Sequence, residues 1–393
     1  MRLFDYGKLA GAMREFNMDL LLASSQPNVG YLADLTWYPS IHPSYLSEDG
    51  RTYYASFVGL LPDGPDSAFF IGFSSESMYV EWKDPWIKDR TYAGADFHVE
   101  GGCDTAGGTV SPVAVLARTI KDKVAENATI GIEWEQMRIG TFEKLKELLP
   151  RATFVDCDSI LWKLRMVKCE AEIQRLRSAA QGCSRAADKA YRSLREGMTE
   201  LEWEKTVIEG IHEAGLRHEY TEIAFGPKGA DLVDPTDNRL EPGHLVRLDI
   251  GGSYQGYLGD LSRSLAFGNV SEEARRAHAA ILRINRALRA AIRPGVKCGD
   301  LYRICMSMFA EAGYTPLTRQ AGHSLGRTVH EPPFLVDDSD MALESGMVIN
   351  VEPTMRIKGI GSVNIEDTLV VRDGEPERLT TVPQELEHYS PRP

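Results

Sequence analysis

The sequence predicts an α+β chain of two domains, an N-terminal α/β domain over 1–158 and a second domain over 159–393. Three observations lead there. A length of 393 residues exceeds what one hydrophobic core usually holds. The first part alternates short helix-like and strand-like runs, and near Ser159 the pattern gives way to apolar residues at helical spacing. The second part then reads as two helix pairs, each followed by strands, which suggests two related halves around one sheet without a residue-level repeat.

In the first domain a helical stretch near Tyr6 to Phe16 leads to the apolar run Leu20-Leu21-Leu22-Ala23, followed by an expected turn at Gln26-Pro27-Asn28. Tyr53 to Leu61 and Ala68 to Phe73 read as strands separated by Pro62-Asp63-Gly64-Pro65. Thr129 to Glu133 and Ala152 to Val155 read as short strands with a helix between them. In the second domain Ile173, Leu176, Ala180, Ala187, Tyr191 and Leu194 recur at helical spacing. Thr199 with Glu202 three residues on is a capping box that opens a second helix, running to about Gly215. Ser271 caps a third, which ends near Pro294-Gly295, and Asp300 to Gly313 supplies a fourth.

Composition narrows the function classes. A net charge of -13 repels phosphate backbones, and no basic run offers nucleic acid a footing. The polar, early-charged N-terminus does not read as a signal peptide. No window approaches the roughly eighteen continuous apolar residues of a membrane span. Six scattered cysteines without a CxxC pair read as reduced thiols, and together these features predict a cytoplasmic enzyme.

The chemistry concentrates between Asp249 and Glu366. From His244 to Gly268, Val246, Leu248 and Ile250 alternate with Arg247 and Asp249, and Gly251-Gly252 with Gly256 are expected to supply a hairpin turn. The returning residues Asp260, Ser262 and Ser264 alternate with Leu261, Arg263 and Leu265. Such a hairpin can place Asp249 and Asp260 on one face of adjacent strands. Two carboxylates held together repel unless a proton or a cation lies between them. Further candidates follow: His323 between Gly322 and Gly326, Glu352 at the end of the apolar strand Met347 to Val351, and Glu366 within Val363 to Leu369. Four carboxylates and one neutral imidazole balance two divalent cations. Oxygen-rich ligation with one nitrogen suits Mn, Co, Fe or Zn without choosing among them. Two such ions can hold a bridging hydroxide as a nucleophile and polarise a scissile carbonyl.

Taken together, Asp249-Ile250-Gly251, Asp260, Gly322-His323-Ser324-Leu325-Gly326, Glu352-Pro353 and Glu366-Asp367 resemble the pita-bread metallopeptidases. These include methionine aminopeptidase, prolidase, aminopeptidase P, creatinase and ectoine hydrolase. Leu164 to Ala180 also looks like that family's domain-opening helix, so the resemblance covers essentially the whole chain. It implies a curved antiparallel sheet in the second domain, a creatinase-like first domain, and metal ligands Asp249, Asp260, His323, Glu352 and Glu366. It further implies a homodimer acting on a short peptide or other small molecule, with Xaa-Pro peptides the default. His330 matches a second histidine that contacts substrate or the developing oxyanion, and Glu352 shares the catalytic role.

Two departures touch the substrate contacts. Where peptidases of this group place a histidine seventeen residues before the first ligand, this chain has Leu232; Asp231 and Asp234 are the neighbouring acids that could transfer a proton. Two residues before the last Glu, Asn364 stands where prolidase-like enzymes often carry Arg. Trp37, His42 and Tyr54 form an aromatic cluster expected to line the pocket. The leading expectation is a dinuclear-metal hydrolase of a C–N bond. The alternatives are a specialised enzyme on the same scaffold (ectoine-hydrolase-like, creatinase-like or a sulfonium lyase) and, last, a binding module without catalysis.

Overall fold

The computed structural model describes residues 1–36, 56–73, 76–93, 111–229 and 234–386. The chain divides into two compact units, Met1–Arg165 and Met166–Pro393. The expected boundary at 158 falls where a helix begins, and that helix groups with the first unit as far as Arg165.

The first unit runs α1 (Tyr6–Glu15), β1 (Leu20–Ala23), α2 (Gln26–Ala33), β2 (Phe57–Leu60), β3 (Phe69–Phe73), α3 (Ser77–Lys83), β4 (Asp89–Ala93), α4 (Pro112–Lys123), β5 (Thr129–Ile132), α5 (Ile139–Leu148), β6 (Thr153–Asp156) and α6 (Asp158–Met166). The described strands form one mixed sheet in the order β4-β3-β2-β1-β5-β6. Strands β1, β2 and β3 are buried along their whole length, which is why Leu20 to Ala23 reads as a continuous apolar run. Gln26-Pro27-Asn28, expected as a turn, instead opens α2. Proline costs nothing in the first turn of a helix, whose N–H groups lack partners anyway. The buried Glu133 carboxylate accepts the Ser25 N–H at 2.7 Å and the Asn28 side-chain amide at 2.6 Å, anchoring the helix start from a neighbouring strand. That partner lies more than a hundred residues away, whereas Ser25, which caps the helix through the Asn28 N–H, is local.

The second unit runs α7 (Glu170–Arg192), α8 (Glu200–Glu213), β7 (Arg217–Phe225), β8 (Leu245–Tyr254), β9 (Tyr257–Ala266), α9 (Glu272–Ala291), α10 (Cys298–Ala312), β10 (Gly322–Ser324), β11 (Glu331–Phe334), β12 (Val348–Val351), β13 (Thr354–Ile357), β14 (Gly361–Asn364), β15 (Asp367–Val370) and β16 (Glu377–Arg378). Every ladder among the described residues of this unit is antiparallel. Helices α7 and α8 share a core with β7-β8-β9 that includes Trp203, Ile211, Val246, Leu248 and Leu261. Helices α9 and α10 share a second core with the later strands through Ile284, Leu301, Ile349, Val363 and Leu369. Two helix pairs thus each back onto strands, and the bridge between Arg263 and Ile365 joins the halves. The Thr199–Glu202 capping box forms in both directions, at 3.1 and 3.0 Å, and Ser271 caps α9.

The hairpin differs from expectation at its turn. Tyr254 pairs with Tyr257, so Gln255-Gly256 makes the turn and Gly251-Gly252 lie inside β8. Gly251 is required there by close packing, because a Cβ would sit 2.1 Å from the Tyr220 ring.

Arg263 and Asp367 form an ion pair at 2.6 Å that is shut off from solvent where β9 meets the second half. Replacing Arg263 with Met leaves the buried Asp367 charge uncompensated, which should cost about 3–5 kcal/mol of stability. Urea unfolding followed by tryptophan fluorescence checks this, and a loss below about 1 kcal/mol would contradict it.

Candidate metal centre

The β8–β9 register sets the first two acids. Asp249 lies opposite Ser262, and Gly251 lies opposite Asp260, so the two carboxylates share one face as diagonal neighbours. The other face sends Val246, Leu248, Ile250, Leu261 and Leu265 into the α7–α8 core. Both faces are buried, however, since Arg247, Asp249, Asp260, Ser262 and Ser264 are all withdrawn from solvent. The alternation therefore separates an apolar core from a buried polar site rather than core from water. Buried polar groups demand partners, and the second half of the unit supplies them.

His323 sits on β10 opposite Asn350 of β12. Gly322 permits that approach, because a Cβ there would lie 2.0 Å from the Asn350 carbonyl oxygen. His323 Nδ1 lies 3.0 Å from the Ser324 carbonyl oxygen, so Nδ1–H donates there and Nε2 carries the lone pair. Nε2 faces Asp260 Oδ2 at 3.6 Å, Glu366 Oε1 at 3.8 Å and Glu352 Oε2 at 3.9 Å. Burial holds this imidazole down to about 4, so it is neutral at physiological pH.

Glu352 follows β12 directly and is half-buried. Glu366 lies where the expected run from Val363 to Leu369 breaks between β14 and β15. Two contacts hold the break: Glu366 N–H donates to the Ser262 carbonyl at 3.0 Å, and the Arg263 guanidinium donates to the Glu366 carbonyl. Asn350 donates its side-chain amide to Glu366 Oε1 at 2.9 Å, and Tyr220 donates its hydroxyl to Asp260. Glu366 Oε2 is buried with no hydrogen-bond partner among the described residues.

These side chains form two groups able to hold a cation, Asp260-His323-Glu366 and Asp249-Glu352-Glu366, each with its ligand atoms within 4.8 Å of one another. Glu366 belongs to both. Burial and mutual repulsion push Asp249 up to about 7, Asp260 to about 6 and Glu352 to about 8, and raise Glu366 well above the usual carboxylate range. A proton or a cation must relieve the crowding. The orphaned Glu366 Oε2 and the hard oxygen donors with one neutral nitrogen fit two divalent cations.

The structure thus gathers all five predicted ligand positions. His330 packs against His323 with the rings tilted at 58° and their centroids 4.3 Å apart, and it is exposed. Partial burial and repulsion from His323 hold His330 below the usual imidazole range. Asn364 donates its amide to Glu352 Oε1 at 3.2 Å. Asp234 is exposed and makes no hydrogen bond or ion pair among the described residues. Trp37, His42, Tyr54, Asp231 and Leu232 lie outside the described residues.

Tyr220, Asn350, Glu222 and Arg247 also belong to the site, although no motif marks them. Arg247 donates to Asp249 Oδ2 at 2.6 Å and to Glu222 Oε2 at 3.1 Å. Its signal was present, since alternation along β8 puts Arg247 on the face of Asp249. Asn350 was the single polar residue in an apolar strand. A guanidinium thus reaches Asp249 from β8, while Asn364 at the expected arginine position contacts Glu352.

Residues 174–373 match the metallopeptidase family M24, and residues 6–167 match the creatinase/prolidase N-terminal domain. The chain is 29% identical over 270 residues to an Xaa-Pro dipeptidase of Lactobacillus helveticus, covering 67% of this chain and 73% of the relative. A putative dipeptidase of Bacillus subtilis is 28% identical over 280 residues, covering 70% and 77%. Among solved structures, the Xaa-Pro dipeptidase from Bacillus anthracis aligns with a TM-score of 0.82 at 24% identity, covering 97% of this chain and 98% of that one. The X-Pro aminopeptidase from Thermotoga maritima aligns at 0.80 and 22% identity, covering 97% and 99%. The two-halved second unit is the pita-bread fold that the sequence predicts.

Carboxylates raised in the folded state retain protons that the unfolded chain has released, so stability falls as pH rises through their folded values. His278 and His323, both held down to about 4, act in the opposite sense only below the ordinary imidazole range. Above pH ~6.5 the acids dominate. The melting temperature of chelated protein should therefore fall between pH ~6.5 and ~8, and added Mn²⁺ should remove the fall. A flat or rising profile in the chelated sample would contradict the proximity of these acids.

Proposed function

We propose that this chain, which belongs to metallopeptidase family M24, is a dinuclear-metal hydrolase that cleaves the amide bond of Xaa-Pro dipeptides and similar short peptides. The observation that carries the reading is the pair of ligand groups sharing Glu366. The relatives named as Xaa-Pro dipeptidases support the substrate class.

In this reading Asp249, Asp260, His323, Glu352 and Glu366 would hold two divalent cations, Mn, Co, Fe or Zn, which would supply Lewis acidity and activate water as the nucleophile at neutral pH. Glu366 spans both sites, and Asn350 fixes its rotation through Oε1. His323 offers Nε2 because its other nitrogen is committed to the Ser324 carbonyl. Glu352 is the half-buried acid of the group. Its partial exposure beside the ligand cluster places it to take and return a proton during hydrolysis. His330, exposed beside His323, is placed to donate a hydrogen bond to a substrate carbonyl oxygen as negative charge develops there.

We further place the enzyme in the cytoplasm as a homodimer. Free cysteines at 157, 169, 183, 298 and 305 support a reducing compartment, and no described helix is long and apolar enough to cross a membrane. The net charge of -13 argues against nucleic acid as a partner. A specialised small-molecule substrate is the second reading, favoured by Leu232 where a histidine is expected.

Asp260→Ala should abolish both metal binding and hydrolysis, read by metal analysis of the purified protein and by turnover. Retained turnover in a metal-free sample would refute the mechanism. A panel of Xaa-Pro dipeptides and tripeptides, creatine, ectoine and a sulfonium propionate should show hydrolysis of the proline dipeptides with added Mn²⁺, Co²⁺, Fe²⁺ or Zn²⁺. Turnover confined to one of the other compounds would overturn the peptidase assignment in favour of the specialised one.

A further inference from the structure

Arg247 is a fully enclosed cation within a site that must itself attract cations, and its contacts explain how both can coexist. Its side chain is 3% exposed and lies on the same face of β8 as Asp249, two residues away. Nη2 donates to Asp249 Oδ2 at 2.6 Å, while Nη1 and Nη2 both donate to Glu222 Oε2 at 3.1 Å. Glu222 lies directly opposite Asp249 in the β7–β8 ladder, so two adjacent strands aim three charged groups at one point. Glu222 cancels the guanidinium charge. The Glu222–Arg247 pair is therefore a neutral unit that leaves the four ligand carboxylates to balance two divalent cations.

We propose that Arg247 is the positioning residue of this centre, with the anchored guanidinium gripping Asp249 at Oδ2 and fixing the orientation in which that carboxylate would meet a cation. A buried carboxylate with one oxygen fixed by a charge-assisted bond loses rotational freedom before the metal arrives. Glu366 is oriented in the same manner by Asn350, and Asp260 by Tyr220. Each of these acids is thus held by a protein donor that helps set its rotation. For Asp249 the donor is charged and carries its own counter-ion. This inference rests on the reading of Asp249 as a metal ligand and extends it to the residue that aims it.

The test uses the full chain, stripped of metal and titrated with Mn²⁺ by calorimetry, together with the visible absorption of the Co²⁺-loaded form. Wild type is measured first, and a wild-type chain that takes up no metal would overturn the metal reading itself rather than the role of Arg247. With metal bound to wild type, Arg247→Met should weaken Mn²⁺ binding about ten- to hundredfold and change the Co²⁺ spectrum. Glu222→Gln should weaken it in the same direction. Arg247→Met binding Mn²⁺ with wild-type affinity and an unchanged Co²⁺ spectrum would overturn the proposal and leave Arg247 a purely structural residue. Where Arg247→Met fails to fold, Arg247→Lys decides, because it keeps the charge and loses the forked geometry. Lys at wild-type affinity and spectrum overturns the proposal, and a weakened, spectrally altered site supports it.

Discussion

Four carboxylates crowded around one neutral imidazole, all taken out of water or nearly so, set the terms on which the second unit is built. Such a cluster is unstable by itself, since each acid raises the proton affinity of the next. The fold tolerates it because β8 and β9 bury two faces of different character. One face is ordinary apolar core, and the other is a dry polar surface whose partners come from a distant part of the chain. A surface hairpin carrying the same acids would let water screen them and would bind a cation weakly.

Residues that never face the centre share in holding the acids at fixed spacing, beside those that bond them directly. Arg263 points away from Asp260 on the same strand, yet it pairs with Asp367 and donates to the Glu366 carbonyl, stitching the two halves where the last acid emerges. A second clamp holds the loop that presents His330. Lys168 lies 3.0 Å from Ser324 Oγ and 3.6 Å from Glu331, and Glu331 Oε1 accepts the N–H groups of Arg327 at 2.7 Å and Thr328 at 2.9 Å. Both clamps are buried ion pairs tied to main-chain groups, an arrangement in which breaking one partner is far more costly than the pair is stabilising.

Much of this was legible in the residue pattern, and the failures are informative. The helices of the second unit announced themselves through capping boxes and apolar spacing, which are local signals. Asp249 and Asp260 were placed on one face by period-two alternation alone. The turn was misassigned because Gly251 and Gly252 look like turn residues, whereas Gly251 exists to admit the Tyr220 ring from another strand. Gln26-Pro27-Asn28 differs for a similar reason: Ser25 caps that helix, and Glu133, which braces the cap, comes from beyond β5. Tyr220 carried no signal, because nothing in its own strand distinguishes it from a core aromatic. Local chemistry is readable from sequence; the partner that a group meets across the fold is not.

Arg247 and Asn364 show how that limit bears on function. Read along the chain, Asn364 is a lost charge and weakens the case for a peptidase. Read in space, Asn364 is bound into the same network: its main-chain N–H donates to Ser264 Oγ at 3.0 Å, and Ser264 lies opposite Arg247 in the β8–β9 ladder. A guanidinium therefore does contact the first acid of the cluster, delivered from β8 instead of β14. The first acid therefore has a guanidinium partner although position 364 carries Asn. What remains of the departure from ordinary peptidases is the missing histidine at Leu232, a substrate-side difference that leaves the metal-side chemistry whole.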